Sequence, residues 1–443
     1  MFWIREAQVN NIYFKTTIIS LLIIVSQAIA VDNCIECHNQ IHEQIISDCK
    51  EDAHSRARVF CAGCHGGNSA LADEEAMNPK YGFVGAPKPK DIPRFCARCH
   101  SDAGYMRNFN PALPVDQLEK YWTSRHGELF KKGDYKVAVC NSCHKAHGVF
   151  PSGDTRSSAH PKKVPSTCAK CHSDPALMQT YGIPTHQYTQ YIDSSNVHGY
   201  ALFVKNDITA PVCNDCHGNH GAAPPGVSQV GQVCSHCHML NAKLFRASPH
   251  KDGFDALGTM ECAFCHQASP DVNAPLARIH TIVKPMAKLA GTVQPAVCVQ
   301  CHSQGDAGWQ MAGKVSAGSD SLAGKFAAAE ALIKRAEKRG LEVSDARWQL
   351  NGDIHRAMLE LRTAIHSFDL EAWQQHFDYA DSLVNAVNAQ GLHATQELSS
   401  RYKYFLIMTL IIALLIVLLI LKIHQVENDR KAALTNKQGG IRR

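Results

Sequence analysis

Nine times the chain sets two cysteines three positions apart and follows the second with a histidine. The motifs are CIECH (Cys34, Cys37, His38), CAGCH (Cys61, Cys64, His65), CARCH (Cys96, Cys99, His100), CNSCH (Cys140, Cys143, His144) and CAKCH (Cys168, Cys171, His172). CNDCH (Cys213, Cys216, His217), CSHCH (Cys234, Cys237, His238), CAFCH (Cys262, Cys265, His266) and CVQCH (Cys298, Cys301, His302) follow. Only Cys49 of the nineteen cysteines stands outside them. In such a motif both thiols can add to the vinyl groups of one porphyrin, and the next residue brings an imidazole under its iron; this is the c-type haem attachment pattern. Zinc ribbons and disulfide frameworks also use C-x-x-C pairs, but neither needs a histidine after every second cysteine. The spacing therefore predicts nine covalently attached haems c, with the eighteen motif cysteines as thioethers and the nine motif histidines as proximal iron ligands.

A six-coordinate iron needs a distal ligand as well. His42, His54, His126, His147, His160, His186, His198, His220, His250 and His280 lie in the same region, and His236 sits inside a motif. Ten candidates for nine places permit bis-histidine ligation throughout without assigning any pair. The recurrent positions are the strongest: His54, His126, His198 and His250 each precede a second motif, while His147 and His220 stand three residues after a proximal histidine. Met106 and Met178 also recur, and packing against porphyrin is preferred to ligation for them. Cys49 is expected to be a buried thiol.

The recurrence is a duplication. CARCHSDAGYM…SRHGELFKKGDYKVAVCNSCHKAHGVFPSG, from Cys96 to Gly153, aligns with CAKCHSDPALM…NVHGYALFVKNDITAPVCNDCHGNHGAAPPG, from Cys168 to Gly226. His126 matches His198, Cys140 matches Cys213 and His147 matches His220, which defines a repeated two-haem module. Cys34 to His65 and Cys234 to His266 are shorter modules, and the Cys298 motif stands alone.

These sites need elements to hold them. Residues 31–304 contain few long amphipathic runs and many Gly, Pro and Asn, so short helices at the motifs, long ordered loops and little sheet are expected, packed around porphyrin. A Gly/Ser-rich linker is read over 305–321. Helical periodicity follows over 322–403: one helix ends at Gly340, a second starts at Ser344, and a third is capped by Asp369 and ends at Gly391. His355, His366, His376 and His393 on this stalk are read as ordinary helix-face histidines. Residues 404–421, YFLIMTLIIALLIVLLIL, are long and apolar enough for a membrane span. The basic residues of the 422–443 tail outnumber Arg401 and Lys403 before the span, which puts the tail in the cytoplasm and the haems in the periplasm. At the other end, Arg5 and Lys15, the apolar run over residues 18–25 and Ala28–Ile29–Ala30 read as an export signal over residues 1–30, or as an uncleaved anchor. The fold class is mainly α with much irregular structure, ending in a helical stalk and one transmembrane helix.

With 443 residues, 45% hydrophobic and 19% charged, the chain is neither disordered nor wholly membrane-embedded. The +5 formal charge forms no basic stripe, which argues against nucleic acid. Two propionates on each of nine haems would outweigh it and make the surface acidic.

The nine motifs, the SRHG and NVHG histidines and the CHKAH and CHGNH endings resemble the membrane-anchored multihaem cytochromes c of bacterial respiratory chains. The resemblance implies electron transfer between a quinone-linked membrane partner, such as a cytochrome b or other quinone-reactive subunit, and periplasmic or extracellular acceptors, including other periplasmic cytochromes. The anchor here is C-terminal, whereas quinol-oxidising relatives of this kind carry it at the N-terminus. The competing reading is an oxidoreductase acting on a small nitrogen or sulfur compound, similar to multihaem hydroxylamine oxidoreductases and nitrite or tetrathionate reductases. It requires an iron with an open position, and their CxxCK variant is absent.

Overall fold

The computed structural model describes residues 32–222, 232–257, 261–267, 280–283 and 290–439. The export-signal reading of residues 1–30 and the last tail arginines, Arg442 and Arg443, lie outside these. Among the described residues the chain is mostly helical and has no strands, only an isolated antiparallel bridge between Asn196 and Val283. It forms two compact units. The first is Met1–Val233 with Ala277–Val283; the second is Cys234–Leu276 with Lys284–Arg443. The expected boundary at 304 is therefore not where the chain divides, because the last three motifs belong with the helical stalk.

In the first unit the motifs themselves form helices. First motifs of the duplicated modules close nine-residue helices, Ile92–His100 and Val164–His172, each begun by a proline in the first turn, where a missing N–H costs nothing. Second motifs are single turns, Cys61–His65, Cys140–His144 and Cys213–His217. In two of them the residue before the second cysteine closes the helix start: Ser142 Oγ accepts from Val139 N–H at 3.0 Å and Asp215 Oδ2 from Val212 N–H at 2.8 Å.

Apolar side chains pack only in small clusters here. Ile92, Phe130, Val137 and Val139 form one; Leu202, Ala210 and Val212 form its counterpart in the next module. Such clusters are too small to fold a chain of this length alone, which fits a core shared with porphyrin.

The second unit has one large protein core. Its helices are Ala307–Lys338, Ser344–Gln349, a π-helical turn Leu350–Ile354, His355–Ala364 and Leu370–Gly439. Val315, Leu322, Ala329, Ile333 and Ala336 face Trp373, Ala380, Val384, Val387 and Ala394 in the core. Both rows advance by sevens, threes and fours, the seam of two parallel helices: Gly318 meets Trp373, Lys325 pairs with Asp381 and Leu332 meets Gly391.

Two stalk expectations change. The linker is helical: Asp306 caps the first helix, its carboxylate accepting from Trp309 N–H at 2.7 Å, so small residues read as flexible are inside a 32-residue helix. Gly391 does not end the third helix but lies within it, where a Cβ would come 2.7 Å from Leu332 Cδ2. Asp369 does cap that helix, accepting from Glu371 and Ala372 N–H. The helix then runs on through Tyr404–Leu421, every residue of which is exposed. Its most apolar window has a mean hydropathy of 3.2, with none of it buried. This one long apolar helix supports single-pass membrane anchoring.

Candidate haem sites

The SRHG and NVHG phrases are helix starts. Ser124 Oγ accepts from Gly127 N–H at 3.1 Å, and Asn196 Oδ1 accepts from the N–H groups of His198 and Gly199 at 3.1 and 3.2 Å. Each histidine is thereby fixed at the second helical position. The glycine after it is required by close approach: a Cβ on Gly127 would stand 2.0 Å from the Tyr121 carbonyl oxygen, and one on Gly199 would stand 1.9 Å from that of Tyr191. The same two tyrosines tie each helix to its motif, Tyr121 OH donating to Ala138 O at 3.0 Å and Tyr191 OH to Pro211 O at 2.9 Å.

Two imidazoles on opposite sides of one metal, each at a bond of about 2 Å, hold their ring centres about 6 Å apart. Five pairs in the first unit have that separation: His54 and His100 at 6.0 Å, His65 and His147 at 6.3 Å, His126 and His172 at 6.2 Å, His144 and His220 at 6.0 Å, and His217 and His280 at 5.9 Å. The second unit adds His250 and His302 at 5.9 Å and His266 and His366 at 6.2 Å. Each pair joins one motif histidine to one histidine outside the motifs. At these separations the rings do not touch, so the gap fits a metal between them.

The pairs follow a rule. A histidine lying between the two motifs of one module (His54, His126) faces the first proximal histidine of the next. A histidine just after a second motif (His147, His220) faces the second proximal histidine of the module before. Successive modules are thus interlocked. His280 reaches His217 because its segment is tied to the first unit, His280 N–H donating to Gln190 Oε1 at 3.0 Å and Val197 N–H to Ile282 O at 2.8 Å.

Other candidates are placed differently. His42 lies 5.8 Å from His38, but residues four apart on one helix always stand about this close, so this pair carries no weight of its own. His160 is buried with Nδ1 accepting from Lys162 N–H at 3.2 Å, and His186 is exposed at the start of Gln187–Ile192; neither faces a motif histidine. His198 occupies the helix position equivalent to His126. His238 follows the Cys234–Cys237 turn, its N–H donating to Cys234 O at 2.9 Å. His366, which the sequence presents as an ordinary helix-face histidine, stands opposite His266. Met106 and Met178 are both buried, consistent with packing.

The thiols show the order of the motifs in space. Cys96 hydrogen-bonds to Cys140, Cys168 to Cys213, and Cys234 to Cys262, so the leading cysteines of paired motifs touch. Cys34 senses Cys61, Cys64 senses Cys99, Cys143 senses Cys168 and Cys265 senses Cys298. Within each unit, every motif neighbours the next one in sequence.

Electrostatics favour neutral donors. Burial, helped by neighbouring imidazoles, holds His100, His126, His217, His220 and His250 below the ordinary imidazole value, and burial alone does so for His144 and His172; a neutral imidazole is the metal-binding form. Burial pushes the Cys34 and Cys265 thiols up to about 12. Cys262 beside Cys234 instead holds that thiol down at about 7, so the thiols by themselves do not separate zinc from thioether chemistry. Among the described residues no three His, Cys, Asp or Glu side chains converge as a zinc site requires. Outer contacts also fit: His65 Nδ1 donates to Gly85 O at 2.9 Å, and Asp306 lies 3.3 Å from His302 Nδ1.

Facing imidazoles beside paired cysteines, on short helices with little protein core, define the multihaem cytochrome c class. Residues 53–173 match the family model of cytochrome c3, in agreement with the resemblance carried by the motifs. For that stretch the match implies multihaem electron transfer and covalently bound haem c. No solved structure matches the chain.

Proposed function

We propose that the chain is a nonahaem c-type cytochrome, held in the cytoplasmic membrane by its C-terminal helix with the haem units in the periplasm. It carries electrons between a quinone-linked membrane partner and periplasmic or extracellular acceptors. The observation that carries this reading is the set of seven facing histidine pairs, because a site with two protein ligands has no position left for substrate. Haem supplies a reversible one-electron couple. The chain's part would be to tether each macrocycle through two cysteines, to hold the iron at the seven paired sites through two imidazoles from different segments, and to keep successive attachment sites adjacent. The span Tyr404–Leu421 has a single histidine, His424, just beyond it and no pair to hold a membrane haem, which supports docking on a separate integral-membrane redox subunit.

The test is intact mass together with low-temperature electron paramagnetic resonance on the oxidised, detergent-purified protein. Nine haem masses per chain and predominantly low-spin iron are expected; fewer haems, or several open irons, would refute the reading. One place favours the alternative of a five-coordinate catalytic iron. The ring beside His38 is that of His42, which caps the same helix four residues on, so their 5.8 Å separation is set by the helix and does not point to a metal between them. A single high-spin iron that binds cyanide or nitrite would put a substrate site at Cys34–His38.

A further inference from the structure

The interlocking rule needs a donor that the repeated modules do not contain. Second-motif histidines take their partner from the module that follows, and after His266 there is only the lone motif at Cys298. The structure fills this place with the turn Ile365–Ser367, which joins the helix His355–Ala364 to the helix entering the membrane.

Three observations at this turn converge. The His366 ring stands 6.2 Å from that of His266 with the planes 9° apart, the same separation as the other facing pairs. Its Nδ1 donates to Thr363 O at 3.1 Å, the usual outer contact of a metal-bound imidazole, which fixes the tautomer and makes Nε2 the nitrogen that would bind iron. The Asn241 amide lies at 3.3 and 3.4 Å from the two ring nitrogens; a point equidistant from both lies along neither lone pair. Finally, Phe368 is held at φ +50°, a left-handed conformation a bulky residue adopts only when its surroundings impose it. Its ring packs 3.8 Å from His250, the partner of His302. The short connection that holds this turn and Phe368 therefore abuts the ligand sets of the last two motifs.

We propose that His366 is the distal axial ligand of the haem attached at Cys262 and Cys265. The helical stalk then stands where a further haem module would, and iron ligation ties the membrane helix, which begins four residues later, to the last haems. The assignment rests on the reading that this motif carries haem.

The experiment compares full-length wild type, His366→Ala and His393→Ala, the last an exposed stalk histidine as control. Expected for His366→Ala is an unchanged haem mass, with one iron in nine passing from low to high spin and returning on addition of imidazole; His393→Ala should match wild type. If His366→Ala does not accumulate, His366→Met decides: it should stay low-spin with one midpoint potential raised, and unchanged potentials would overturn the assignment. Haem present on the Cys262–His266 peptide with an unaltered His366→Ala spectrum overturns the ligand assignment alone. A wild-type peptide without haem overturns the underlying reading with it.

Discussion

Gly127→Ala tests whether the His-Gly phrase exists to place a ligand. The new methyl would sit 2.0 Å from the Tyr121 carbonyl oxygen, and real Cβ contacts do not come below 3.0 Å. Neither side gives easily. Tyr121 is tied to Ala138, and the helix start is tied to Ser124. The two must part by about 1 Å, at a cost of about 1–3 kcal/mol for overpacking. A metal–ligand bond tolerates only about 0.2 Å, so His126 should leave the site it shares with His172. The expected result is one additional high-spin iron by electron paramagnetic resonance and a lower denaturation midpoint, with haem mass unchanged. Gly153→Ala, where nothing lies within 4 Å of the added methyl, is the control. Wild-type spectra and stability in Gly127→Ala would show that the glycine does not position the ligand.

Cys49 should be the sole alkylatable thiol: burial, helped by Asp52, pushes it up to about 12, so iodoacetamide at neutral pH should label it only after denaturation, at one per chain. Two or more labels would mean that a motif lacks its thioethers. Trp373→Ala should cost about 3–5 kcal/mol in a denaturant titration, because the ring is 1% exposed in the stalk core and stacks on Phe377; a loss under 1 kcal/mol would contradict the packing. The buried imidazoles have folded values below the unfolded one of about 6.5, so below that pH the unfolded chain binds more protons. Stability should be level above about pH 7 and fall as the pH drops through 6. Thermal melts showing a rise toward acid would reverse this sign.

The sequence by itself determined what local geometry determines. Two thiols and an imidazole within five residues form their site in one helical turn, so the motifs, the module repeat and the class of protein are legible without a fold. The apolar helix is legible for the same reason, since its composition must suit lipid along its whole length. Cap residues such as Asp369 could be read because they act within one turn. The pairing of histidines could not: His54 finds His100 and His266 finds His366 across 46 and 100 positions, and only the packing of modules and stalk brings them together. The same limit explains the misread stalk. Gly391 resembles a helix end in sequence, but the nearness of Leu332 makes it a packing site, and His366 looks like any helix histidine until a turn with one forced residue turns it toward His266. Attachment is a property of five consecutive residues, whereas axial ligation is a property of two surfaces, and only tertiary structure decides which surfaces meet.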